Sequence, residues 1–227
     1  LARAGLTADA LACPADLPID PDARRRAASP ERIYMNCSGK HAGMLLSCLA
    51  AGWPTDGYTE PAHPLQQALR REVERLSGET VAATGVDGCG APVLAISLTG
   101  LARAFRNAVA APAGTPERRV ADAMRAHPEL VSGTGAADAR LMRAVPGLLS
   151  KSGAEGVAAV AIPGVGAVAL KIDDGAERAR LPVMVEALAV LGLRGPQLAA
   201  IAETPLLGGG SPVGAVQALD VIRPITR

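Results

Sequence analysis

Aromatic residues are almost missing from this chain of 227 residues, in which Tyr34, Trp53, Tyr58 and Phe105 make up the whole 2%. Its core must therefore be built from Ala, Val, Leu and Ile, and stacking platforms for bases or sugar rings are not expected. An excess of either charge is also lacking, since Lys+Arg 23 against Asp+Glu 22 leaves a net charge of +1. That balance gives phosphate backbones and anionic membranes nothing to attract, so neither nucleic acid nor a membrane is an expected partner. No apolar run approaches the ~18 residues of a membrane span, and no basic segment followed by a hydrophobic stretch opens the chain. A cytoplasmic location is the resulting expectation. Cysteine is too sparse for a disulfide framework: Cys13, Cys37, Cys48 and Cys89 are scattered, and read as free thiols or ligands. Lysine is scarcer still, with only Lys40, Lys151 and Lys171. Arginine serves wherever a plain positive charge is needed, so a lysine here invites the question of whether its amine works as a base, nucleophile or ligand.

What is present is 49% apolar content, enough for a real core. Helical patterns run over Ser38–Ala51, with Asn36 or Ser38 as N-cap and Gly52 as the stop, and over Pro64–Leu76. Thr80–Val86 reads as a short strand ending in the glycine-rich loop Asp87–Pro92. Further helices are expected over Pro92–Ala110, bent near Gly100, then Pro116–Ala126 and Ala136–Ala144. Val157–Ile162 and Ala167–Ile172 read as a hairpin, followed by a helix over Glu177–Leu191 and a strand over Val213–Ile222. Helices followed by antiparallel sheet give an α+β domain spanning 1–227, with a helical part at about 36–145 and a hairpin, helix and strand at about 147–224. The opening ADALACPADLPIDPDARRRAA reads like the middle of a domain, and an N-terminal part ahead of Leu1 is expected.

The densest chemistry lies in NCSGKH, where Cys37, Lys40 and His41 open the first long helix. Residues three apart share a helix face, and the free amides of a first turn favour a thiolate there. One reading is a metal site of Cys37, Cys89 and either Lys40 or His41, because tetrahedral zinc accepts sulfur and nitrogen together. A second is covalent catalysis, with Cys37 as nucleophile and Lys40 as base, echoing the S-x-x-K spacing. A third is bland: a packed thiol, a solvated lysine and a capping Ser38. Asp87, two residues before Cys89, is placed to bind a substrate ammonium or to orient Lys40 or His41, unless it is only a turn residue. Lys151 is a candidate second base, while Lys171 beside Asp173 and Asp174 reads as a surface ion pair. His63, His127, Cys13 and Cys48 read as structural. The pairs Glu72/Glu74 and Asp173/Asp174 are solvated charge, and VSGTGA and IPGVGAV match no phosphate loop.

Taken in order, CPADLP, NCSGKHAGML, GVDGCGAP and LLSKSGAEGV resemble the L-asparaginase II family, the class 3 or rhizobial-type asparaginases, over nearly the whole chain. The resemblance implies a serine β-lactamase/glutaminase-like fold with an antiparallel sheet and a helical region, and hydrolysis of L-asparagine to L-aspartate and ammonia by a homodimer. It further implies zinc held by Cys37, Lys40 and Cys89, with His41 and Asp87 beside the metal and the substrate head group, and Lys151 as a catalytic residue paired with a serine. The family's S-x-x-K motif and second serine lie upstream of the CPADLP-like segment, and neither Ser29 nor Ser47 is followed three residues on by lysine. A non-catalytic zinc-binding fragment and a Cys37 amidohydrolase are the competing readings.

Overall fold

Proline and glycine set most element boundaries in the structure, a computed structural model that describes residues 1–219. Proline opens five helices, where its missing N–H costs nothing and its fixed φ is already helical. The chain forms two units, one of Leu1–Arg75 with Glu79–Ile96, the other of Leu76–Gly78 with the chain from Ser97 onward.

The first unit carries α1 (Pro21–Arg26), α2 (Ser38–Ala51), the body of α3 (Pro64–Ser77), and an antiparallel hairpin of β1 (Ala83–Val86) and β2 (Pro92–Ala95). Helix α2 stops at Gly52, whose φ of 67° is left-handed, and Trp53 N–H closes the end on the Cys48 carbonyl at 2.8 Å. The hairpin corrects an expectation, because Pro92–Ala95 is a strand and not the start of a helix. Val86 faces Pro92 and Ala83 faces Ala95 across the pair. A short apolar run satisfies either period, and here cross-strand pairing takes it. Helix begins later, where the Ser97 side chain accepts the Gly100 N–H at 2.9 Å. The core of this unit is unusual in using thiols as its hydrophobes: Cys13, Cys48 and Cys89 are buried with Leu11, Leu45 and Leu65.

The second unit runs through α4 (Leu98–Ala110), α5 (Pro116–Ala126), α6 (Pro128–Ser132), α7 (Ala137–Ala144), β3 (Leu149–Ser152), β4 (Val157–Ile162) and β5 (Gly166–Lys171). It continues with α8 (Arg180–Val190), α9 (Pro196–Ala199), β6 (Thr204–Gly208) and β7 (Ser211–Val216). Strands β3, β4 and β5 form one antiparallel sheet in that order. Central β4 reads Val-Ala-Ala-Val-Ala-Ile because both its faces are covered. Ala158, Val160 and Ile162 join a core with Met184 and Leu188, while Ala161 joins a second core with Val109 and Leu149. Each fully buried Val or Leu contributes roughly 1.5–3 kcal/mol. The mixed helical and antiparallel architecture is α+β. Strand β3 and its residues Ser150–Ser152 extend the expected hairpin to three strands. Strand β7 covers the first part of the expected Val213–Ile222 strand and pairs with the unforeseen β6. Residues 220–222 of that expectation lie outside the described residues. No described helix is long and apolar enough to cross a membrane.

Candidate active site

Two local structures of the first unit bring the chemistry together. The 3-10 turn Arg32–Tyr34 leads into Cys37, which is itself the N-cap of α2, in place of the expected Asn36 or Ser38. Its carbonyl accepts the His41 N–H at 3.0 Å, and the Met35 sulfur accepts the Cys37 N–H at 3.0 Å. One turn on, Lys40 projects from the same face. Opposite them stands the β1–β2 turn, closed by Asp87 N–H to the Ala91 carbonyl and Gly90 N–H to the Asp87 carbonyl, both 2.8 Å, with Gly90 at φ 84°. That turn aims Asp87 and Cys89 at the helix start. Lys40 Nζ donates to Asp87 Oδ2 at 3.1 Å, and the Cys89 thiol donates to the same oxygen at 3.1 Å. The Cys37 and Cys89 sulfurs and an Asp87 oxygen all lie within 4.8 Å of one another. Four residues separated by about fifty positions of chain thus share one small volume.

Electrostatics refine the sequence reading. Burial pushes the Cys37 thiol up, Lys40 opposes it, and Cys89 and Asp87 push it further up. The expected thiolate at the helix N-terminus is therefore not the resting form, because burial and two neighbouring acids outweigh the first-turn amides. For Lys40 burial favours the neutral amine, but hydrogen bonds to Cys89 and Asp87 and the nearby thiols prevail and raise it. Lys40 rests as an ammonium. Asp87 is lowered: burial acts upward, and the Cys89 and Lys40 hydrogen bonds outweigh it.

His41 is fully buried, with Nδ1 2.6 Å from the Tyr58 hydroxyl, which also accepts the Ala12 N–H at 2.8 Å. Burial and then the Lys40 charge lower its pKa, so the ring is neutral. Among the described residues its Nε2 has no hydrogen-bond partner. His41 thus sits behind the cluster on the core side, one residue along from Lys40, and Tyr58 is a supporting residue that the sequence reading missed. Its rarity was the available signal, as one of two tyrosines in the chain. His63 is structural as expected, bridging the Pro54 carbonyl and the Leu65 N–H.

Lys151 belongs to the second unit, on β3 opposite Ala159, and its amine donates to the Ser152 carbonyl. Lys171 does not form the expected pair: its amine donates to the Ile172 carbonyl at 2.6 Å, and Asp174 pairs with Arg178.

The sequence profile of the L-asparaginase II family matches residues 1–218. The chain belongs to the L-asparaginase II family. An asparaginase-type hydrolase, acting on an amide, is the functional class that goes with it, and asparagine the substrate the family's name carries. No curated protein sequence matches the chain. In this asparaginase II chain the donor set fits a tetrahedral ion. Two thiolates on one zinc are about 3.8 Å apart when each Zn–S bond is about 2.3 Å. The present separations, within 4.8 Å, differ from that spacing by no more than about an ångström. Asp87 and the Lys40 amine, once deprotonated, are the nearest further donors.

Proposed function

We propose that this chain carries the zinc-binding and substrate-orienting site of an L-asparaginase, which hydrolyses the side-chain amide of L-asparagine to L-aspartate and ammonia. The convergence of Cys37, Lys40, Asp87 and Cys89 from a helix start and a hairpin turn, in a chain of this family, carries the reading. Cys37, Cys89 and the neutral form of Lys40 are the ligands, and His41 braces the first turn of α2 from the core side. When bound, zinc would supply a fixed positive charge beside which the substrate head group is held. Asp87, ionised and one-third exposed, is available to receive the substrate ammonium. Lys151 serves as the catalytic amine paired with the family's serine, which attacks the amide carbon, releases ammonia and leaves an acyl-enzyme that water resolves. Neither Ser29 nor Ser47 has a lysine three residues on, so the residues assigned here orient the substrate and do not attack it.

The sheet of β3, β4 and β5 covered by helices on both faces supports a serine β-lactamase/glutaminase-like fold. Four free cysteines support a reducing, cytoplasmic setting. The exposed Leu207 and Val213 of the β6–β7 hairpin support a homodimer, since such apolar surface gains by being covered.

Zinc content and ammonia release from L-asparagine, measured on the wild-type chain, Cys89→Ser and Lys40→Ala, test the reading. Stoichiometric zinc in the wild type and binding weakened more than about hundredfold in Cys89→Ser and Lys40→Ala are expected, and any ammonia release, which needs the family's serine, should be lost in Lys40→Ala. Zinc bound without turnover would favour a non-catalytic metal-binding protein, and a chain that takes up no zinc would overturn the assignment of all three ligands.

A further inference from the structure

Apart from histidines, the buried acidic and basic side chains among the described residues are Asp138 and Arg180, and both bond residues close to Lys151 in the chain. Asp138, on the first turn of α7, is 2% exposed. Its Oδ2 accepts the Ser152 N–H at 3.0 Å, the Ser152 hydroxyl at 2.7 Å and the Ser132 hydroxyl at 2.6 Å, and its Oδ1 accepts the Ser150 hydroxyl at 2.7 Å. Among the described residues it makes no ion pair. Arg180, at the start of α8, donates to the Gly153 carbonyl at 2.9 Å and the Val157 carbonyl at 3.4 Å, and reaches Glu177 at 2.7 Å.

Two buried charges of opposite sign thus grip consecutive residues without pairing with each other. For stability alone this is a poor investment, because well-packed apolar residues often serve as well or better than buried charges. What such groups supply is direction. Among the described residues strand β3 is bonded only to β4, and the outward N–H of Ser152 would have no strand partner there. The Asp138 carboxylate takes it. Alternation puts Ser150 and Ser152 on the Asp138 face and Lys151 on the other, and the Lys151 amine donates to the carbonyl of that same Ser152. The turn beyond cannot slide either: Gly156 has φ 72°, and a Cβ there would lie 2.8 Å from the Ile172 Cβ.

We propose that Asp138 and Arg180 are positioning residues for Lys151, clasping Ser152 and Gly153 from two helices so that the amine is presented from a fixed strand end. Its consequence for turnover rests on the reading of Lys151 as catalytic; the clasp itself does not. Lowered pKa at Asp138 agrees with the geometry, since burial acts upward and the hydroxyl and amide hydrogen bonds outweigh it.

With three lysines in the chain, competitive amine acylation read by mass spectrometry gives Lys40 and Lys171 as internal references for Lys151. In folded Asp138→Asn the Lys151/Lys171 labelling ratio and the exchange rate of the Ser152 amide are expected to change by about tenfold, the worth of one or two lost charge-assisted hydrogen bonds. Ser152→Ala, which keeps the N–H bond and drops the hydroxyl, should show a smaller change in the same direction and serves if Asp138→Asn does not fold. An unchanged ratio and unchanged exchange in either folded variant overturn the clasp. In the ammonia assay the clasp predicts a fall in kcat at nearly constant KM for Asp138→Asn. Full turnover by Lys151→Ala would instead remove the catalytic reading of Lys151 and leave the labelling result to judge the clasp.

Discussion

The two units hold their chemistry in opposite ways. In the first, the reactive groups are part of a small core: Cys89 is buried among hydrophobes, and the groups that tie the cluster together, Lys40 and Asp87, are 43% and 33% exposed. In the second, the main core is built from aliphatic side chains and methionine, and the polar anchors are buried while Lys151 is left outside. An exposed pair in high dielectric is worth little and moves easily, whereas a buried carboxylate with four donors holds one geometry. The first arrangement suits donors that must close by an ångström or so onto an incoming group. The second suits an amine that must not move.

Core truncation is the hardest way to break this contrast. Leu188 is fully buried beneath the sheet, so Leu188→Ala is expected to lower stability by about 2–5 kcal/mol in chemical or thermal denaturation. A loss under about 1 kcal/mol would mean that the aliphatic core is looser than its burial implies, and that Lys151 has no rigid floor.

Acid comes next. Asp138 has a folded pKa below its unfolded one, so its contribution to stability is fully present above the unfolded value of about 3.9 and is lost as pH falls through the folded pKa. Stability measured by denaturant between pH 6 and pH 2 should therefore drop more steeply for the wild type than for Asp138→Asn, whose curve flattens on the acid side. Parallel curves would show that the buried carboxylate is not selectively stabilised as the anion.

Much of this was legible in the sequence, and the failures have physical causes. Lysine scarcity and the Cys37–Lys40 spacing located the cluster, and Asp87 and Cys89 stood out because a glycine-rich turn is where two side chains can be aimed at one point. The Pro92–Ala95 strand was missed because four apolar residues carry no period, and only pairing with Ala83–Val86 decides them. Thiolate character at Cys37 was misjudged because helix-end electrostatics can be read locally, while burial and the approach of Cys89 cannot. Asp138 was invisible for a similar reason: nothing in ADAR distinguishes a solvated aspartate from one that receives hydroxyls from positions 132, 150 and 152.

The smallest expected effect separates the units most sharply. Asp87→Ala removes the acceptor shared by Lys40 and Cys89, yet the pair is exposed enough that stability should change by less than about 1 kcal/mol. Its effect on the cluster is expected to be larger than its effect on the fold. Without that carboxylate the site loses a negative charge beside the ion and the group that holds Lys40 and Cys89 together, so zinc affinity should fall by about 10–100-fold while the denaturation midpoint hardly moves. Isothermal titration with zinc beside a urea melt reads both quantities on one sample. A midpoint shift as large as that of Leu188→Ala would mean that the cluster holds the first unit together as a core does, and the distinction between a pliable site and a rigid one would fail.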